Sequence, residues 1–156
     1  MPYYQRQHIK RLDTLFEVVC PPKYFVTICS FRRRKILTMK GLAEEIATCL
    51  SQSLSIHGWA VGRYVIMPDH VHFFCSPRET EKTLSEFVRD VRKRISRRAH
   101  EKGIEGIIWQ RDFFDRLLRS DESYEEKSEY MLQNPVRAGL CASQDDWMLQ
   151  GDFDLL

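Results

Sequence analysis

Two histidines separated by one residue, in Asp69-His70-Val71-His72-Phe73, are the side chains of this sequence best placed to do chemistry. On a β-strand alternate residues project to one side, so His70 and His72 share a face while Val71 and Phe73 point into a core. Two neutral imidazoles held that close can bind a divalent cation. The same spacing also describes an ordinary pair of surface histidines, so a third ligand is needed to separate the readings. The segment SEYMLQNPVRAGL (128–140) offers one. Tyr130 and Asn134 are four residues apart and fall on one helix face, one turn from each other. A ligand at Asn134 would bring the Tyr130 hydroxyl close to the same cation. Without that convergence the tyrosine is a helix-anchoring aromatic and the asparagine a helix end before Pro135.

Charge distribution adds a second theme. The formal net charge is only +2 over 156 residues. Yet RDVRKRISRRAH (89–100) holds six basic residues against one acid, FRRRK (31–35) adds four more, and five acids cluster between Asp121 and Glu129. Basic clusters beside an acidic stretch suggest a polyanion-binding face. Arg32, Arg33, Arg34, Arg89, Lys93 and Arg97 are the candidates for phosphate contacts, against the ordinary reading of a solvated surface. The five cysteines, Cys20, Cys29, Cys49, Cys75 and Cys141, include no CxxC pair. They read as reduced thiols rather than a disulfide framework or a zinc site. No apolar run reaches the length of a membrane helix and the N-terminus lacks a secretory h-region, so a cytosolic location is expected.

These side chains must be positioned by a fold. After an irregular lead-in over 1–22, KYFVTICSF (23–31) reads as a strand and Lys40–His57 as a helix capped near Gly58. WAVGRYVIM (59–67) and HVHFFCS (70–76) read as a hairpin turned at Pro68-Asp69. Thr83–His100 reads as a helix with Leu84, Phe87, Val88, Val91 and Ile95 as its apolar stripe. IIWQRDFFDRLLR (107–119) reads as extended, bent near Arg111-Asp112. Ser120 is placed to cap a last helix, which Pro135 should end near Asn134. The order β-α-β-β-α-β-α predicts a single α+β domain over 1–156: a ferredoxin-like four-stranded antiparallel sheet with two helices on one face, plus a C-terminal helix.

Three segments in this order resemble a known family. MPDHVHFF is similar to the histidine–hydrophobe–histidine (HUH) motif of single-tyrosine transposases. WQRDFFDR is similar to their WQ-x-x-F-x-D segment, and YMLQNPVRAGL to their Tyr-x-x-x-Asn-Pro segment. The resemblance covers about residues 20–142, the expected catalytic core of 23–142. It is closest to the REP-associated tyrosine transposases of the insertion-sequence 200/605 type. It implies that His70, His72 and Asn134 bind Mg2+ or Mn2+ and that Tyr130 is the nucleophile. Tyr124 lies on a different helix face without the Asn-Pro context. Members often have a histidine in the segment matching FFDR, where this chain has Arg116.

By that resemblance the substrate is a DNA hairpin with a single-stranded flank. Tyr130 would cut it through a covalent 5′-phosphotyrosine, leaving a free 3′ hydroxyl that permits rejoining. A tyrosine hydroxyl ordinarily titrates near about 10, so attack at neutral pH needs help; Lys127, three residues earlier, could stabilise a phenolate. Base contacts could come from Tyr3–Arg11 of the lead-in. Members of the family work as dimers that exchange the tyrosine helix, or as monomers, so both states stay open. Two other readings compete: a metal-dependent nuclease that hydrolyses, and a ferredoxin-like nucleic-acid-binding module without catalysis.

Overall fold

The computed structural model describes residues 21–119 and 121–156, with the side chains of Asp121 and Glu122 excepted. Residues 1–20 of the expected lead-in, with the base contacts proposed for Tyr3–Arg11, lie outside the described residues, as does the Ser120 cap. Pro21 and Pro22 belong to no regular element.

Among the described residues, five strands form one antiparallel sheet in the order β4-β1-β3-β2-β5. They are β1 Lys23–Cys29, β2 Trp59–Ile66, β3 His70–Pro77, β4 Phe114–Leu118 and β5 Gln150–Asp152. The first four reproduce the expected ferredoxin-like arrangement. The fifth extends the sheet beyond β2 and was not anticipated. Three residues, Gln150-Gly151-Asp152, carry no apolar alternation, so no strand signal exists for them.

Helices α1 (Leu42–Ser51) and α2 (Ser53–His57) replace the single helix expected over 40–57. Gln52, at φ −87° and ψ 1°, breaks the run. Helix α3 (Leu84–Glu101) opens with a capping box between Thr83 and Glu86. Its buried Phe87, Val88, Val91 and Ile95 meet Leu42, Ile46 and Leu50 of α1 and Val26, Ile28, Val71 and Phe73 of the sheet. This is the main core, on one sheet face.

The other face is half covered by α4 (Asp121–Leu132). Met131 and Tyr124 pack with Phe74, Val65 and Leu118. A bulge between Val61 and Tyr64 re-aims β2 so that Arg63 and Val65 both reach this face. Gly62 sits in the bulge, where a Cβ would stand 2.9 Å from Leu156 and 3.2 Å from the Tyr124 hydroxyl, so glycine lets α4 approach. Helix α4 stops at Leu132, two residues before the expected end. A short helix, α5 (Asn134–Arg137), follows with Pro135 in its first turn, where a missing N–H costs nothing. Cys29, Cys49, Cys75 and Cys141 are free thiols.

Candidate active site

Strand alternation divides β3 as expected. Val71 and Phe73 enter the core under α1 and α3. His70 and His72 emerge on the face that α4 partly covers, with ring centroids 4.6 Å apart. The hairpin that carries them turns tightly at Pro68-Asp69, closed by the Met67 N–H donating to the His70 carbonyl at 2.8 Å.

Each imidazole is anchored through its Nδ1. His70 Nδ1 lies 2.7 Å from Asp69 Oδ1, so the ring N–H donates to the carboxylate. Asp69 is held in turn by Arg33, whose Nε lies 2.9 Å from Oδ2. His72 Nδ1 is hydrogen-bonded to Thr27 Oγ1 at 2.7 Å, and the ring stacks on Phe25 at 5.2 Å. A neutral His70 ring whose Nδ1–H donates to Asp69 keeps its Nε2 lone pair, and His72 does the same in the tautomer whose Nδ1–H donates to Thr27 Oγ1. That is how metal-ligating histidines are oriented by their surroundings. Burial, helped by His70 and then Arg33, pushes the His72 pKa down to about 3, so its ring is neutral, as a ligand must be. The donor set therefore suits a divalent cation. Among the described residues no group of three histidine, cysteine or acidic side chains is arranged to hold one.

Asn134 is partly buried, and its Nδ2 is one of three buried side-chain polar atoms without a partner among the described residues. Next to it, the Gln133 side chain donates to Gln144 Oε1 at 3.0 Å. Gln150 donates to the Gln144 carbonyl at 2.7 Å. Gln150 pairs with Val65, and Val65 with His72. These bonds tie Gln133, the residue before Asn134, to β5; among the described residues no hydrogen bond joins the Asn134 side chain to either imidazole.

Tyr130 is 54% exposed, off the buried side of α4. Its ring lies under Arg137, 4.2 Å from the guanidinium carbon, with the Lys127 ammonium 5.9 Å away. Glu126, Glu129 and Gln133 complete the shallow groove around it. Among the described residues no hydrogen bond or ring contact joins Tyr130 to either imidazole. Tyr124 is different: its ring packs on Phe74 at 4.5 Å, and burial raises its pKa.

The six basic candidates divide sharply. Arg33 sits beside the imidazoles through Asp69. Arg34 donates to the Glu105 and Ile107 carbonyls at 3.3 and 3.4 Å and so braces a loop. Arg32 lies over the Phe31 ring at 5.2 Å. Arg89, Lys93 and Arg97 are exposed on α3, which covers the sheet face opposite the imidazoles. The structure does not bring these three to the histidines, because α3 spends its inner side on the core and turns them outward. Their neighbours are occupied structurally: Arg92 binds the Gln110 carbonyl at 2.7 Å, Arg94 the Gln52 side chain at 2.7 Å, and Arg98 pairs with Glu45.

Sequence reasoning missed three residues that contact the candidate side chains. Asp69 was read as a turn residue, though its place directly before His70 was a signal. Thr27 and Arg137 gave none, because their roles depend on cross-strand register and on the turn after α4.

The sequence pattern described as "Transposase IS200 like" matches residues 19–134. This chain belongs to that family. The IS200-like transposase is 26% identical over 87 residues to the REP-associated tyrosine transposase of Escherichia coli K12, covering 56% of this chain and 50% of that protein. It is 25% identical over 134 residues to a candidate REP-associated tyrosine transposase of Haemophilus influenzae, covering 80% and 75% of the two chains. Its fold matches a REP-associated tyrosine transposase solved with a REP hairpin, at TM-score 0.73 and 22% identity over 96% of this chain and 82% of that one. A candidate transposase from Deinococcus radiodurans shares the fold at TM-score 0.55 and 16% identity, over 71% and 88%. Among the described residues no helix is long and apolar enough to cross a membrane.

Proposed function

We propose that this IS200-like transposase cuts single-stranded DNA beside a hairpin and rejoins it through a covalent bond to Tyr130. The observation that carries the reading is the anchoring of His70 by Asp69 and of His72 by Thr27, which holds the two rings on one sheet face with centroids 4.6 Å apart. A surface pair without a task has no need of it. His70 and His72, with Asn134 as third ligand, would hold Mg2+ or Mn2+, which supplies Lewis-acid stabilisation of charge on a phosphate oxygen.

The protein's residues do the rest. Asp69 and Thr27 fix the imidazoles, so no reorganisation is needed during the reaction. The Tyr130 oxygen attacks phosphorus and gives up its proton. The bond to the 3′ oxygen breaks, and that oxygen takes up a proton to become a free hydroxyl. Arg137 places a guanidinium beside the ring that carries negative charge during attack. The new ester conserves the energy of the broken bond, so a second 3′ hydroxyl can reverse the step on another end. A phosphate must fit between the phenol and the imidazoles, so direct contact between them is not required.

The test uses a labelled hairpin oligonucleotide with a single-stranded flank, incubated with Mn2+ and then denatured. Wild type should leave label bound to protein, and Tyr130→Phe should leave none. Cleavage by Tyr130→Phe at the wild-type rate would reject Tyr130 as nucleophile in favour of hydrolysis. DNA binding without cleavage, unchanged by chelator, would favour a binding module.

A further inference from the structure

The sheet face beside His72 continues onto an edge strand that the reaction above does not use. Phe114 of β4 pairs with Thr27, and Thr27 pairs with His72. Phe114, Thr27 and His72 therefore form one row across three strands. With strands about 4.8 Å apart, Phe114 stands about 10 Å from the imidazole on the same face. Its neighbour on that face, Arg116, pairs with Phe25, the residue that stacks on His72.

Neither side chain is engaged by another among the described residues. Phe114 is 65% exposed, the largest exposure of any phenylalanine among the described residues. No ring contact engages it there. Arg116 is exposed and joins no ion pair or hydrogen bond among the described residues. An uncovered aromatic ring on an edge strand invites unwanted association unless something uses it. Asp115, between them, projects to the other face, since it pairs with core-facing Val26. Among the described residues the face thus presents a ring and a cation without an ion-pair partner side by side, with no acid between them.

We propose that Phe114 and Arg116 form a docking strip for the single-stranded nucleotide next to the scissile phosphate. The Phe114 ring takes the base by stacking, and Arg116 takes a phosphate of the same strand. An aromatic side chain with an adjacent cation is how single-stranded nucleic acid is held without reading sequence. Charge complementarity favours a polyanion over a second copy of the chain, which would bring a like-charged Arg116 to the same edge. The strip fixes the strand's direction across the sheet: the cut lies at His70 and His72, and the flank leaves over β1 and β4. The inference rests on the histidine face being the cleavage site.

The test measures affinity in the Tyr130→Phe background, so that cutting does not enter. The probe is an oligonucleotide with a hairpin and a single-stranded flank, read by fluorescence anisotropy. Phe114→Ala should bind about tenfold more weakly, and Phe114→Trp should restore affinity. The loss should vanish on a probe with an abasic site at the nucleotide beside the cut. Arg116→Gln should lower the slope of log affinity against log salt by about 0.7, one phosphate contact on a single strand. Wild-type affinity in Phe114→Ala, or an equal loss on the abasic probe, would overturn the proposal. So would a change in sedimentation mass with unchanged affinity, which would assign the edge to a second copy. If wild type forms no covalent adduct while these losses are seen, the strand-transfer reading fails and the docking strip stands.

Discussion

Burial decides the charge state of the residue on which the site depends. His72 is enclosed by Phe25, Thr27 and His70, and a protonated ring there would lose its hydration and face Arg33 as well. Its pKa accordingly falls to about 3 from an ordinary value of about 6.5. His57 shifts the same way, through burial and then the Lys82 ammonium near its ring. The sign follows from linkage. Below about 6.5 the unfolded chain binds protons on these rings that the folded chain refuses, so stability is complete above that pH and falls as pH drops toward 3. In chelator, urea midpoints should therefore decline from pH 7.5 to pH 5, before most carboxylates titrate. A flat profile over that range would mean that both rings protonate freely in the folded state. At this scale the sequence was informative where the determinant is local. HxH on a strand settles the shared face, and Asp69 stands one residue away. Thr27 was hidden because 45 residues separate it from His72, and only the β1–β3 register brings them together.

Elements were legible in proportion to their apolar period. β1, the β2–β3 hairpin and α3 bury repeating apolar residues, and each formed where the pattern placed it. The β5 strand had too few residues and no period, and the break at Gln52 leaves a continuous apolar spacing on either side. Likewise the basic run of α3 showed how much positive charge it carried but not where it pointed, because helix orientation depends on what the apolar stripe packs against. The element on which the proposed function depends most is α4, because it carries Tyr130. It is held to the sheet by fully buried Met131, the Tyr124 ring on Phe74, and Ser128, which accepts a hydrogen bond from Arg63 at 2.8 Å, among other contacts. Met131→Ala should then cost about 2–5 kcal/mol of the packing that keeps α4 in place. Amide exchange should speed up in α4 and stay slow in β3, and adduct formation should fall with it. Equal acceleration in both elements would show that α4 does not open independently of the sheet.

The arrangement of the whole molecule bears on whether a site is built from one chain or two. Nothing in the motif order could decide this, since a tyrosine helix can serve its own histidines or a neighbour's with the same sequence. The packing favours its own. Two residues link β4 to α4, a reach of at most about 10 Å between Leu118 and Asp121. Beyond that link α4 lies on the histidine face of its own sheet, with Lys23 of β1 over the Tyr124 ring at 5.5 Å. The chain after α5 then returns across the same sheet: Trp147 donates to the Ile66 carbonyl at 3.1 Å, and β5 pairs with β2. Exchanging α4 between subunits would strip Met131 and Tyr124 from their partners and pull on β5 as well. We therefore expect the tyrosine and the imidazoles of one chain to act together. Mixing His72→Ala protein with Tyr130→Phe protein, each first shown to be folded by its thermal transition, should yield no covalent adduct on the hairpin probe. Adduct in the mixture, when neither variant forms it alone, would show that α4 crosses to a partner, and the docking described for it here would then be one of two states.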